Sequence, residues 1–389
     1  MHNRISLAAG RLHRVAVLAV LAAATLAACG GGSAPAVEPG TLRLALTDAP
    51  ACGFDHVWVT IAGVRVHASG TALDAEAGWR ELPVDPPRRI DLLTLTNGGL
   101  QELGGLELPA GRYEQMRLVF APTGEAGAPV APHAVQPSGG AMALPLEVPS
   151  SQLVVNVPLA VDVAARQTSD LVLDFDACKS VVTAGASGRF QLRPVVQALP
   201  RGAGGVQGTV AAELARPGTT VAAQQDGVTV RSTQPDASGK FAIPFLPPGS
   251  YTVVVSSLDR ATGVVTDVPV ESGLTTVNTL PIALPASAMA ELTGSLSLNL
   301  EADAVNAAST SPLADAEVRA LQSLAGGLAV EVRSRAVDGV LGSYRLLVPR
   351  SAAQRAAYSP SGTLAFVPDA TEQGQYSLDV HLRGGAPLE

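Results

Sequence analysis

The residues of this 389-residue chain that could do chemistry are few: three cysteines, six histidines, two lysines and scattered carboxylates. His56 and His67 bracket a candidate strand, with Asp48 and Asp55 close in sequence. A metal site needs three or four convergent N, O or S ligands. No His-x-His or Glu-x-x-His pair supplies them, and both histidines fall on the polar side of the local alternation. Exposed positions are expected for both, and no metal site. Asp174 and Asp176 stand two apart on another strand and would share a face. Paired carboxylates can bind calcium or act as acid and base. No denser acidic run with glycine surrounds them, so a structural polar face is expected. Asp236-Ala237-Ser238-Gly239 reads as a turn for the same reason. Gly-x-Ser-x-Gly, the metalloprotease helix and phosphate-cradling loops are all missing from the sequence. No catalytic residue and no cofactor is therefore assigned, and the chain is not expected to be an enzyme. Trp58, Trp79 and a few Tyr are the rings that could stack on a sugar. Ligand-binding residues stay unassigned.

The elements that would position these groups are short strands. Leu42, Leu44 and Leu46 alternate with Arg43, Ala45 and Thr47, a half-buried strand. Val57, Val59 and Ile61 continue the pattern until Gly63 shifts the register to Val64 and Val66, as a bulge would. Met116, Leu118 and Phe120 alternate, as do Met142 to Val148, Leu153 to Val157, and Leu171, Leu173 and Phe175. Ile90 to Leu95 is a further apolar run. No helix longer than two turns is apparent. Many Gly and Pro (39 and 29) with sparse aromatics fit short strands joined by turns. The length predicts two or three domains.

The amino terminus carries Arg4, Arg11 and Arg14, then a 14-residue apolar stretch from Val15 to Ala28, then Leu26-Ala27-Ala28-Cys29 at the junction. That stretch is too short to span a bilayer stably and has the length of a signal-peptide core. This segment resembles bacterial lipoprotein signals. The resemblance implies cleavage before Cys29, lipidation of its thiol and acylation of its amine, which together anchor a protein at a membrane. Gly30, rather than Asp, follows Cys29, which by the same analogy favours the outer membrane of a Gram-negative envelope. Residues 29–39, rich in Gly, form a flexible tether.

Once Cys29 is committed to lipid, Cys52 and Cys178 remain. An exported compartment is oxidising, which predicts a Cys52–Cys178 disulfide. Closing so long a loop is worth on the order of 4–5 kcal/mol in chain-entropy models. Loss of the leader, with three Arg and no acid, takes the formal net charge from −8 to −11. An acidic protein of this kind is a poor partner for nucleic acid.

Six segments occur in order: Leu46-Thr47-Asp48-Ala49-Pro50, Trp79-Arg80-Glu81-Leu82, Asp91-Leu92-Leu93, Leu108-Pro109-Ala110-Gly111-Arg112-Tyr113, Leu173-Asp174-Phe175-Asp176-Ala177 and Leu192-Arg193-Pro194. Residues 40–200 thereby resemble the domain of unknown function 4382 (DUF4382) family of exported proteins, which implies no reaction. Residues 201–205 read as a linker. In 206–285, the Gly239-Lys240-Phe241 turn and Leu246-Pro247-Pro248-Gly249-Ser250-Tyr251 resemble the carboxypeptidase-regulatory or transthyretin-like β-sandwich. Residues 290–383 look like a divergent copy, with Pro312 to Val318 and Gly342-Ser343-Tyr344 in place. The Leu-Pro-x-Gly step is missing there, and Pro349 to Gly362 has no counterpart. The copy contains no Lys, so the Lys–Asn isopeptide of related pilin sandwiches cannot form in it. In 206–285, Lys240 lies at the turn.

The expected architecture is all-β: tandem β-sandwich (Ig-like or prealbumin-like) domains after a lipoprotein signal peptide (1–28). The expected role is that of a non-catalytic, membrane-anchored envelope lipoprotein, structural or adhesive. Its expected partners are the membrane, through the lipid, and an envelope protein or a polysaccharide. The alternative is a cell-surface carbohydrate-binding module, because the sandwich of 206–285 is shared with sugar-binding domains.

Overall fold

The computed structural model describes residues 38–48, 53–123, 132–202, 204–300 and 308–382. The leader, Cys29 and Cys52 lie outside the described residues. The fold is all-β, built as tandem sandwich modules, and no helix among the described residues exceeds four residues; the α-helical one is Ala177–Ser180. No helix among them is long and apolar enough to cross a membrane.

The leucine alternation that marks the first strand buries it. Leu42, Leu44 and Leu46 of Pro39–Asp48 are fully buried. This strand is flanked by Gln101–Pro109, antiparallel, and Thr168–Phe175, parallel; Val196–Pro200 completes a four-stranded sheet. An eight-stranded sheet faces it, with Phe54–His67 as its long central strand. The register slips between Ile61 and Gly63 against both neighbours, as the sequence predicts. A Cβ at Gly63 would sit 3.0 Å from the Leu82 carbonyl oxygen, so the bulge also allows a close backbone approach. The apolar run from Ile90 divides. Ile90 closes the strand Arg80–Asp91, and Leu92–Leu95 is a 3-10 turn capped by Asp91, which accepts the Leu93 N–H. Apolar content alone does not distinguish the two.

The second module pairs a three-stranded sheet, centred on Gly204–Thr209, with the strands Val228–Thr233, Thr220–Gln225, Gly249–Ser256 and Gly263–Val270. Two residues of the predicted linker belong to a strand. Gly204 and Gly205 are buried strand residues, and a Cβ on either would collide with backbone oxygens of Glu271 (2.0 Å) or Ile243 (2.4 Å). Glycine serves close packing here, and Arg201 is tied to Glu102 at 2.7 Å.

In the third region, Met289–Ser295 pairs with Ser343–Pro349, and Ala316–Leu324 lies between Leu328–Ala336 and Ser377–Leu382. The stretch without a counterpart leaves this region. Ala353–Ala357 adds in parallel to Gly263–Val270 of the second module, and Val367–Asp369 extends the same sheet. Tyr358, Leu364 and Phe366 then pack on the second module's core.

The repeated Leu-Pro-x-Gly-x-Tyr string has one structural meaning at both places. Tyr113 and Tyr251 are buried, and each hydroxyl donates back to a proline carbonyl four residues earlier, Pro109 at 3.0 Å and Pro247 at 2.8 Å. This is the tyrosine-corner arrangement of sandwich folds. Tyr251→Phe is expected to cost about 1 kcal/mol, the net worth of such a bond. Urea denaturation with an unchanged midpoint would refute that assignment.

Candidate functional site: a polar junction of three modules

Thr168–Phe175 alternates so that Leu171, Leu173 and Phe175 enter the first core, leaving Val172 and Asp174 on the opposite face. That face is covered by the second module. Val172 and Leu199 pack on Phe245, forming a small shared core. Beside it, Asp174 accepts two hydrogen bonds from Arg231, Nε at 3.0 Å and Nη2 at 2.7 Å, with side chains only 4% and 2% exposed. The third arm of Arg231 donates to the Pro244 carbonyl, and Gln197 donates to Asp174 at 3.1 Å. Asn97, held at φ +56°, reaches the same module: its side chain accepts the Ala242 N–H and donates to the Gln234 carbonyl.

Asp176 lies past the strand end rather than on its face. It caps Ala177–Ser180 by accepting the Lys179 N–H at 2.9 Å. The Lys179 ammonium lies 3.1 Å from Glu317 of the third region and 3.9 Å from Asp176. Burial pushes the Asp176 carboxyl up to about 6; Lys179 pulls it back only in part, and Glu317 pushes it further up. Burial disfavours the ammonium, yet Asp176, Glu317 and Glu331 together hold Lys179 above its usual range.

A carboxyl raised in the fold stabilises while it is protonated. The Asp176 contribution is therefore present below about pH 4 and is lost as pH rises towards 6. Asp176→Asn keeps the cap, since Asn caps as well as Asp. Relative to this variant, the native chain is expected to lose stability between pH 4 and 6, measured by denaturant unfolding. A constant difference across that range would refute the assignment.

Asp338 forms the third contact. It accepts from Thr183 Oγ1 at 2.6 Å and from the Gly185 N–H at 3.0 Å in the first module, and from Val340 and Leu341 in its own turn. Burial pushes this carboxyl up, but the bonds from Thr183, Leu341, Val340 and Gly185 outweigh it and hold it below the usual range. Arg193 adds a bond to the Gly339 carbonyl and an ion pair with Asp315. Between the second and third modules, the Gln224 amide imitates a strand. It donates to the Glu331 carbonyl at 2.7 Å and accepts the Glu331 N–H at 2.9 Å. Val254 and Val264 share a core with Leu324, Val330 and Val332. The three modules enclose a cleft of about 580 Å³.

The other candidates do not converge. His56 meets Asp91 at 2.5 Å. His67 is buried, contrary to expectation: Nδ1 accepts the Ser69 N–H, Nε2 faces the Ala77 carbonyl, and Trp79 covers the ring. Asp48 accepts the Ala177 N–H, so two of the ordered family segments meet there. Asp55 accepts the Gly139 N–H. Among the described residues no group of three possible ligands could hold a metal. Asp236 forms the expected turn, accepting from Ser238 and Lys240. Neither tryptophan offers an empty ring. Trp58 stacks on His56 at 4.7 Å with Arg89 over it, and Arg65 and Arg117 sit over Trp79. Cys178, in Ala177–Ser180, is not a free thiol. His133, which has no signal in the sequence, is fully buried between the Thr60 N–H and the Ala121 carbonyl, with a pKa lowered by burial.

Residues 39–194 match the model of the domain of unknown function DUF4382, and residues 205–284 match the carboxypeptidase regulatory-like domain. The chain carries a DUF4382 domain followed by a carboxypeptidase regulatory-like domain. The DUF4382 domain supplies Asp174, Asp176 and Lys179, and the regulatory-like domain supplies Arg231 and Gln224. No curated protein matches the chain. Among solved structures, the Bacillus anthracis TIE protein is 13% identical, with 85% of this chain and 48% of that one covered and a TM-score of 0.17. The chain thus spans about half the length of that protein. A candidate carbohydrate-binding protein of Bacteroides uniformis is 12% identical (46% and 98% covered, TM-score 0.18). A streptococcal ancillary pilin is 9% identical (90% and 96% covered, TM-score 0.17).

Proposed function

We propose that this protein is a non-catalytic envelope lipoprotein that holds three β modules as one stiff body at a membrane, in a structural or adhesive role. The junction carries this reading. Two shared apolar cores and buried ion pairs join the modules where flexible linkers would otherwise stand, and a stiff body suits the display of a surface at a distance. The lipid on Cys29 and the tether to residue 39 supply the anchor, with the outer membrane as its site. A Cys52–Cys178 disulfide would pin the start of the first module to the helix that faces the junction. An envelope protein or a polysaccharide is the partner class.

Palmitate labelling of cells making the full chain tests the anchor: incorporation is expected, with loss in Cys29→Ser. Labelling that persists in the variant would overturn it. Alkylation of denatured, non-reduced protein tests the disulfide; two reactive thiols would overturn it.

A further inference from the structure

The cleft between the modules holds two charges that the fold does not use. Arg333 and Arg335 stand two apart in Leu328–Ala336 and pair regularly with Ala320 and Val318, so both side chains leave the sheet on one side. Both line the cleft. Among the described residues neither has an ion-pair or hydrogen-bond partner for its guanidinium, and Arg333 Nε is buried without one. Burial pushes the Arg333 guanidinium below its usual range, and repulsion from Arg335 adds to this.

The acids on the same walls are engaged elsewhere: Asp176 with Lys179, Asp338 with Thr183 and Gly185, and Glu331 towards Arg319 at 3.7 Å. A desolvated cation beside a like charge is costly, and an anion relieves the cost. Two neighbouring guanidinium groups suit a planar two-oxygen anion, as carboxylate is. The remaining walls include Thr229, Ser232 and Tyr344. A volume of about 580 Å³ suits a small ligand.

We propose that this cleft binds a carboxylated sugar of hexuronate size, its carboxylate on Arg333 and Arg335 and its hydroxyls towards Thr229 and Ser232. The proposal does not depend on the lipid anchor, and Cys29→Ser leaves it untouched.

Titration calorimetry of the full chain in detergent with galacturonate, galactose and inorganic sulfate tests it. Galacturonate is expected to bind saturably and galactose not. Arg333→Gln and Arg335→Gln are each expected to weaken binding about tenfold or more, while Arg43→Gln, on another surface, leaves it unchanged. Arg335 is exposed, so Arg335→Gln keeps the test valid even if Arg333→Gln melts early. No binding of galacturonate, equal binding of galactose, or unchanged affinity in Arg335→Gln would overturn the proposal. Sulfate binding as tightly as galacturonate would overturn it too, since the hydroxyl contacts would then contribute nothing.

Discussion

Arg231→Ala is expected to destabilise the protein by about 3–5 kcal/mol, because it leaves the Asp174 carboxylate buried without its counter-charge. Asp174→Ala should cost a similar amount from the other side. Their combination as apolar replacements, Asp174→Leu with Arg231→Met, is expected to recover most of the loss. Replacing both members of a buried pair removes two desolvation penalties along with one attraction. The pair sits where the first and second modules meet, beside the core of Val172, Leu199 and Phe245. The loss should therefore show as undocking: scanning calorimetry of Arg231→Ala should separate a low-temperature transition from the main one. Single variants losing less than about 1 kcal/mol would mean that the charges are solvated and the junction is weak.

The second large effect is expected at Asp338. One carboxylate there accepts bonds from Thr183 and Gly185 across the junction and from Val340 and Leu341 within its turn. Bonds to a charged acceptor contribute about 1.5–3 kcal/mol each, and their losses overlap when a single group is removed. Asp338→Ala should thus cost about 3 kcal/mol overall, with faster hydrogen exchange at the Gly185 and Gly339 amides. Its pH signature is opposite to that of Asp176. The Asp338 carboxyl is held low, so its contribution is complete above the usual carboxylate range and is lost as pH falls through its depressed value. If exchange at Gly185 is unchanged in the variant, the bridge is not what holds the third region to the first.

Strand positions were readable wherever one face of a strand is apolar. Leu42 to Leu46, Met116 to Phe120 and Leu171 to Phe175 lie in strands as their alternation predicts, and Gly63 marks a register shift. The junction was not readable, for a physical reason. Alternation tells which residues leave the core, not what covers them afterwards. Asp174 looks like an exposed polar position until Arg231, 57 residues away in another module, is placed upon it. His67 was misjudged in the same way, being polar by pattern yet roofed by Trp79. Gly204 and Gly205 have the composition of a flexible linker, and only the neighbouring Glu271 and Ile243 carbonyls show why no side chain fits. Arg333 and Arg335 give no local signal at all; their significance lies in the partners that they lack.

The parallel strand Ala353–Ala357 has a consequence in time. It closes the open side of Gly263–Val270, and Val367–Asp369 is added beyond it. A chain emerging from its amino end would therefore show an uncovered sheet edge from about residue 270 until residue 369 has followed. Such edges invite pairing with other chains. The last module thus acts as a delayed clasp for its predecessor, and a chain interrupted between the two should be prone to aggregate even with both earlier domains complete.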